Sequence, residues 1–260
     1  MSALNFVFPP SMGSARGEAR VELIGESVRM ERLGDPAVAV AESYEELHER
    51  AASGSADLVW APPIIASQLL PEARDVFQVV RHGSSGYHAA LIAKRGSSVE
   101  LDTLQGCTVA WVGKSSLAGY RLPRKLLRGR DLDPDRLFGR ELFVGSYPEV
   151  LETIAKGDAD VGGMCVNLPT DAGLEETVYQ YGGAGMRGRM RSLAISERVT
   201  ADCVIILQSM PDAAADAIGN ELLSTGRSRI RAAFTMALEA EGFERMSAGD
   251  RQELERIQHL

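Results

Sequence analysis

The sequence has no apolar run approaching the roughly 20 residues of a membrane-spanning helix. Its richest stretch, Cys203 to Leu207, stops at Gln208. The opening, Met1 to Pro10, lacks the charged start, the long apolar centre and the small-residue cleavage site of a secretory leader. It reads as a first strand, which points to a cytoplasmic protein, or a periplasmic one if a leader has been removed. Cysteine is scarce. Cys107, Cys165 and Cys203 are odd in number, far apart and without a His or Cys at metal-ligand spacing, so neither a disulfide framework nor a metal site is expected and the three thiols read as buried and reduced. A basic stripe is also missing. The 28 Lys and Arg residues are scattered through a chain of net charge -8, which argues against binding a phosphate backbone. No nucleic acid, no cofactor and no direct membrane insertion is expected.

What is present is enough apolar material for real cores, 45% of 260 residues, and an internal repeat. Residues 43–60 and 146–163 coincide at eight of eighteen positions. Each copy opens on an S-x-x-E box, Ser43 with Glu46 and Ser146 with Glu149, in which the serine caps a helix start and the glutamate reaches back. Pro148 falls in the first turn, where a missing N–H costs nothing. Each helix stops at a glycine, Gly54 or Gly157, the residue suited to a left-handed cap, and each runs through Ala-Asp into a short strand. With the apolar segments 37–41 and 141–145 upstream, the unit is strand, helix, strand, present twice at an offset of 103 residues. Such units build mainly parallel sheets flanked by helices.

The expected fold is therefore α/β with two lobes. The first holds residues 1–92 and 196–260, the second 93–195. Strands are expected at 6–8, 87–94, 108–112 and 202–207, and helices at about 15–33, from Ser116 onward, through 212–238, and at 247–257. Two strands crossing between lobes make a hinge, and a hinge permits closure on a ligand in the interlobe cleft.

Ligands of open parallel sheets bind beyond the carboxyl ends of the strands. That rule selects the segments 9–13, 43–44, 60–63, 113–119, 145–147 and 163–167. The sharpest is Gly113 to Tyr120, a strand end opening into a helix whose free amides favour an anion, with Ser115 and Ser116 able to add hydroxyls. It lacks the first glycine of a phosphate loop at the proper spacing, which disfavours a nucleoside triphosphatase. Tyr44, Trp60 and Tyr87 are candidates for the pocket wall, His88 for a hydrogen-bonding or titrating group, and Ser146 for a further hydroxyl. No Ser/His/Asp or Cys/His set assembles by order or spacing.

The ordered series 86–94, 101–106, 116–123, 145–146 and 157–162, continuing through residues 200–202, 210–211 and 242–243, resembles the phosphate, phosphite and phosphonate-binding proteins of ABC transporters, of the type 2 periplasmic-binding fold. The resemblance implies ligand contacts from Tyr44, Tyr87 and Ser116, and from Asp202 as an acidic group holding a ligand amine. Leu117 and Ala118 stand where that family is expected to carry hydroxyls, and Asn167 where it has an acidic residue. The departures shift the expectation from a phosphonate toward a carboxylate or a larger, partly apolar ligand.

The function expected is capture of an anionic or zwitterionic solute by lobe closure, as a cytoplasmic sensor or receptor with an unidentified protein partner. The alternatives are a cytosolic lyase similar to chorismate dehydratase, with Asp202 or His88 moving a proton, and an interaction module without a ligand.

Overall fold

A computed structural model describes residues 3–9, 15–114 and 116–257. In chain order it contains β1 (Ala3–Phe8), α1 (Ala15–Met30), β2 (Asp35–Val40), α2 (Tyr44–Ala52), β3 (Leu58–Ala61), α3 (Pro63–Gln68), β4 (Ala73–Val80), β5 (Gly86–Lys94) and β6 (Thr108–Trp111). A π-helical turn (Leu117–Arg121) leads into α4 (Leu122–Arg128). There follow α5 (Pro134–Leu137), β7 (Arg140–Phe143), α6 (Tyr147–Lys156), β8 (Val161–Val166), α7 (Asp171–Gly182), β9 (Met190–Ile195) and β10 (Val199–Thr200). The chain closes with β11 (Cys203–Leu207), α8 (Asp212–Leu223), α9 (Arg229–Ala237), β12 (Gly242–Arg245) and α10 (Ala248–Ile257).

Two compact units result. One holds the chain up to Ser85 and from Thr200 onward, the other Gly86–Val199. The chain crosses at Ser85–Gly86 and returns at Val199–Thr200, and the Ala201 amide donates to the Ser85 carbonyl at 2.9 Å. β5, which a boundary at 92/93 would leave with the first lobe, belongs to the second unit's sheet.

The first unit's sheet runs β12-β4-β11-β3-β1-β2. β1 is parallel to β2 and β3, while β11 is antiparallel to β3 and β4, and β12 is antiparallel to β4. The sheet is mixed: β1, β2, β3 and β4 run the same way, and β11 enters between β3 and β4 in the opposite direction. Alternate β1 residues Leu4, Phe6 and Phe8 are fully buried and join α1, α8 and α9 in one core with Phe77, Ile218 and Phe234. Truncating a buried phenylalanine such as Phe234 to alanine costs about 3–5 kcal/mol. The expected helix over 212–238 is two helices. Ser228 starts the second by accepting the Arg231 amide at 2.9 Å, after a Ser-Thr-Gly-Arg break.

The second unit's sheet runs β10-β5-β8-β6-β7, with β9 also on β5. β6 is parallel to β7 and β8, whereas β5 is antiparallel to β8 and β9. One face packs Ile92, Leu151, Ile154 and Val178, the other Leu91, Trp111, Leu127 and Val161. The duplication is exact at the level of pairing: Phe6 lies opposite Leu58 in the first unit and Val109 opposite Val161 in the second, each member displaced by 103. Strand orders β3-β1-β2 and β8-β6-β7 correspond as well.

The cysteines are reduced. Cys203 is buried as expected, but Cys107, just before β6, and Cys165, near the end of β8, are partly accessible. Among the described residues, no helix is long and apolar enough to cross a membrane, and no group of His, Cys, Asp and Glu is arranged to hold a metal.

Candidate functional site

In the first unit, β1, β2, β3 and β4 end on the side where antiparallel β11 begins, and that side gathers several expected residues. Tyr44 opens α2 just after Ser43, whose hydroxyl accepts the Glu46 amide at 3.1 Å. The Glu46 carboxylate accepts the Glu42 amide at 2.6 Å, one residue earlier than a standard box. Trp60, half-buried near the end of β3, packs against the core and donates its indole N–H to the Asp202 carboxylate. Asp202 also receives Arg81, Nη1 on Oδ1 at 2.7 Å and Nη2 on Oδ2 at 3.1 Å. Nothing in the local sequence announces this pair, whose members are 121 residues apart.

In the second unit, β6, β7 and β8 end together, and β5 begins beside the end of β8 with His88 opposite Val166. After β6 the chain turns into the π-helical segment. Ser116 caps it, accepting the Gly119 amide on Oγ at 3.1 Å while its carbonyl accepts the Arg121 amide at 3.1 Å. The wide turn needs glycine at 119. A Cβ there would lie 2.6 Å from Val112 Cγ2 and 2.7 Å from Ser116 Oγ. The turn also presses on β8, where a Cβ at Gly163 would meet the Gly119 carbonyl oxygen at 2.7 Å. This accounts for glycine at the repeat position that holds Trp60 in the first unit. Leu117 and Ala118 turn their side chains inward, 6% and 3% exposed.

The residue that sequence reasoning passed over is Tyr147. It lies in the selected segment 145–147, but its neighbour Ser146 drew attention as the hydroxyl after a strand. Tyr147 lies near the Ser116 side chain and near Tyr87, Cys165 and Tyr181. Its ring sits 5.0 Å from that of Tyr181. Burial pushes the Tyr147 phenol well above its ordinary range, reinforced by Cys165 and Tyr87, with the nearby Ser116 side chain opposing. Tyr147 is therefore a neutral hydroxyl at physiological pH.

Ser146 caps α6, accepting the Glu149 amide at 3.4 Å and donating to the Glu149 carboxylate at 2.9 Å. His88 Nδ1 lies 2.9 Å from the Ser196 carbonyl oxygen. Asn167 follows β8 directly and is half-buried. Ser115 and residues 10–13 of the first selected segment lie outside the described residues. A polar pocket lined by Lys114, Tyr120, Arg121, Arg124, Arg128 and Asp135 also occurs in this unit. Carboxylates answer two of its cations: Arg124 binds Glu141 at 2.9 Å and also Asp135, and Arg128 binds Asp135 at 3.0 Å. The Arg128 hydrogen bond, with the Arg124 charge, holds the Asp135 carboxyl below its ordinary range.

Two α/β units built on a duplicated strand-helix-strand element and joined by two chain crossings define the class: a two-lobed solute-binding protein of the periplasmic-binding type. Over residues 6–251 the chain matches the ABC transporter, phosphonate, periplasmic substrate-binding protein family. It belongs to that family, whose members are transport binding proteins. XAC2383 from Xanthomonas citri, solved with chloride, is 19% identical with a TM-score of 0.77, the match covering all of this chain and 97% of that one. A binding protein component of an ABC phosphonate transporter from Pseudomonas aeruginosa is 16% identical, TM-score 0.72, over 99% of this chain and 86% of that one. PhnD1 from Prochlorococcus marinus in complex with methylphosphonate is 12% identical, TM-score 0.72, over 99% and 97%. At these identities the structures establish the shared fold. No curated protein matches the sequence.

Proposed function

We propose that this chain captures a small oxyanion of the phosphonate or phosphate class, with the Ser116 and Tyr147 hydroxyls as its principal side-chain donors. The observation that carries the reading is the nearness of those two side chains to each other and to Tyr87, at the carboxyl end of the second unit's parallel strands. Strand ends of this kind are the usual place for a ligand in an open α/β sheet. Tyr147 supplies a neutral donor that makes up for the hydroxyls lost at Leu117 and Ala118, which restores the phosphonate class that the sequence alone disfavoured. Tyr87 and Asn167 complete the proposed lining in the second unit. Ser146 and His88 are left to their cap and carbonyl partners.

In this reading the crossings at Ser85–Gly86 and Val199–Thr200 act as the hinge for closure, and the loaded state is passed to a protein partner. Saturating ligand then lowers the radius of gyration. The cytoplasmic sensor and the exported transport receptor are two forms of the proposal. Fractionation of cells expressing the native gene separates them, a cytosolic pool favouring the sensor and an exported pool the receptor.

Isothermal titration with methylphosphonate and with inorganic phosphate tests the site. Binding by the wild type, weakened about five- to tenfold by Ser116→Ala and by Tyr147→Phe, corresponds to the ~1 kcal/mol of a typical hydrogen bond and supports the assignment. Unchanged affinity in both variants removes these hydroxyls from the site.

A further inference from the structure

The polar pocket of the second unit has a volume of about 370 Å³, within the ~300–1,000 Å³ range of pockets that take small organic molecules. Its wall residue Tyr120 packs with Trp111, Leu127 and Leu137 on one face of the sheet. Tyr147 packs with Leu151 and Val178 on the other face, so the pocket is distinct from the proposed oxyanion site. Arg124, with 5% of its side chain exposed, is fixed from several sides. It donates to Glu141 at 2.9 Å and to Asp135, and its guanidinium lies 4.9 Å from the centre of the Tyr120 ring. Glu141 is held in turn by the Trp111 indole N–H at 2.6 Å.

The charges of this pocket do not balance. Asp135 bridges Arg124 and Arg128, and Glu141 answers Arg124 a second time. Lys114 and Arg121 have no such answer: Arg121 Nε donates to the Lys114 carbonyl at 3.1 Å, and among the described residues neither side chain is in an ion pair. Four cations thus meet two carboxylates, a formal excess of two positive charges. Residues 121–140 hold seven Lys and Arg against three Asp in a chain of net charge -8, so the local field draws an anion to this face. An aromatic ledge lies beside the two unanswered cations. Phe143, at the end of β7, is 45% exposed, with its ring 5.5 Å from that of Tyr120 and 5.6 Å from Lys114 Nζ. An exposed ring of this kind offers a flat apolar surface to another ring.

We propose that this pocket is a second ligand site, for a phosphate monoester carried on a flat ring. Lys114 and Arg121 take the phosphoryl group, whose charge of about -2 at neutral pH matches the excess, and Phe143 takes the ring. Arg124 is a positioning residue, locked between Glu141, Asp135 and Tyr120. The inference is independent of the oxyanion site and stands or falls without it.

The experiment is calorimetric titration of the full chain with phenyl phosphate and with methyl phosphate, which keeps the charged group and lacks the ring. Saturating methylphosphonate is present throughout, to fill the first site. The wild type binds phenyl phosphate about threefold or more tightly than methyl phosphate, the scale of one aromatic contact, and Phe143→Ala erases that preference. Lys114→Gln and Arg121→Gln each weaken phenyl phosphate about tenfold, the scale of a hydrogen bond to a charged group, while Tyr147→Phe leaves it within about twofold. No binding of phenyl phosphate by the wild type overturns the inference, as does binding that Tyr147→Phe weakens and the two glutamine variants leave unchanged. Loss of methylphosphonate binding alone overturns the oxyanion function and leaves this site standing. Should Arg121→Gln fail to fold, as a melting curve reveals, Lys114→Gln, a change at an exposed side chain, decides.

Discussion

Asp57 and Asp160, 103 residues apart, make the same hydrogen bond: the carboxylate of each accepts the amide of a residue at the start of its unit's central parallel strand, Asn5 or Thr108, at 2.7 Å in both cases. The return bonds match too, the Asp57 amide donating to the Asn5 carbonyl at 2.8 Å and the Asp160 amide to Thr108 at 2.9 Å. The Ala-Asp step shared by the repeats is thus a device for setting register between β1 and β3 in the first unit and between β6 and β8 in the second. Asp57 is 7% exposed, whereas Asp160 is exposed to solvent.

Removing the two carboxylates should therefore have unequal effects. Asp57→Ala removes a part-buried bond and is expected to cost about 1–3 kcal/mol, while Asp160→Ala, whose bond is exposed, costs less than ~1 kcal/mol. Urea unfolding of the two variants measures both. Equal losses would show that burial does not set the difference.

Gly119 offers a second test, at the π-helical turn. Its Cβ in Gly119→Ala would lie 2.6 Å from Val112 and 2.7 Å from Ser116 Oγ, so overpacking of about 1–3 kcal/mol is expected, together with weaker methylphosphonate binding as Ser116 is displaced. Retention of both stability and affinity would mean that the turn opens freely.

Alkaline titration follows from the buried Cys203 thiol and the half-buried Tyr147 phenol. Burial first, then the Asp202 and Asp250 charges, push the Cys203 thiol well above its ordinary 9.0, and burial pushes the Tyr147 phenol well above 10.0. The folded chain then holds protons that the unfolded chain releases, so stability from these groups is whole below pH 9 and falls as pH rises past 9.0 for the thiol and 10.0 for the phenol. Urea midpoints between neutral and strongly alkaline pH should decline accordingly. Cys203→Ala should flatten the first part of the fall and Tyr147→Phe the second. A decline unchanged in both variants would assign it to other groups.

Ser146 separates a cap from a ligand contact. Ser146→Ala should lower stability by ~1 kcal/mol, the value of an N-cap, and leave methylphosphonate affinity within about twofold, a change smaller than the loss of one hydrogen bond. A large loss of affinity without loss of stability would return Ser146 to the binding set.

The parts of this fold legible in the sequence are those written locally. Helices α2 and α6 carry their own start and stop: a capping serine at each start, and at each end a left-handed glycine, Gly54 with φ +72° and Gly157 with φ +86°. The strands around them follow from the repeat. β4, β9 and β12 lie outside it and are placed by antiparallel pairing with distant segments. β4 is also disguised by Arg74, Asp75 and Gln78, the last fully buried. The candidate site divides in the same way. Ser116 was readable as a strand-to-helix hydroxyl, whereas Tyr147 acquires its place only when α6 packs beside the π-helical turn. The engagement of Asp202 by Arg81 depends on β4 and β11 being neighbours, which no local pattern specifies.

The most direct test of the central claim is the amide spectrum of the isotopically labelled chain titrated with methylphosphonate. The account predicts that the largest shifts fall on Ser116 to Gly119 and on Tyr147, saturating together and absent in Ser116→Ala. Shifts that leave these amides unmoved while others saturate would place the ligand elsewhere and contradict it.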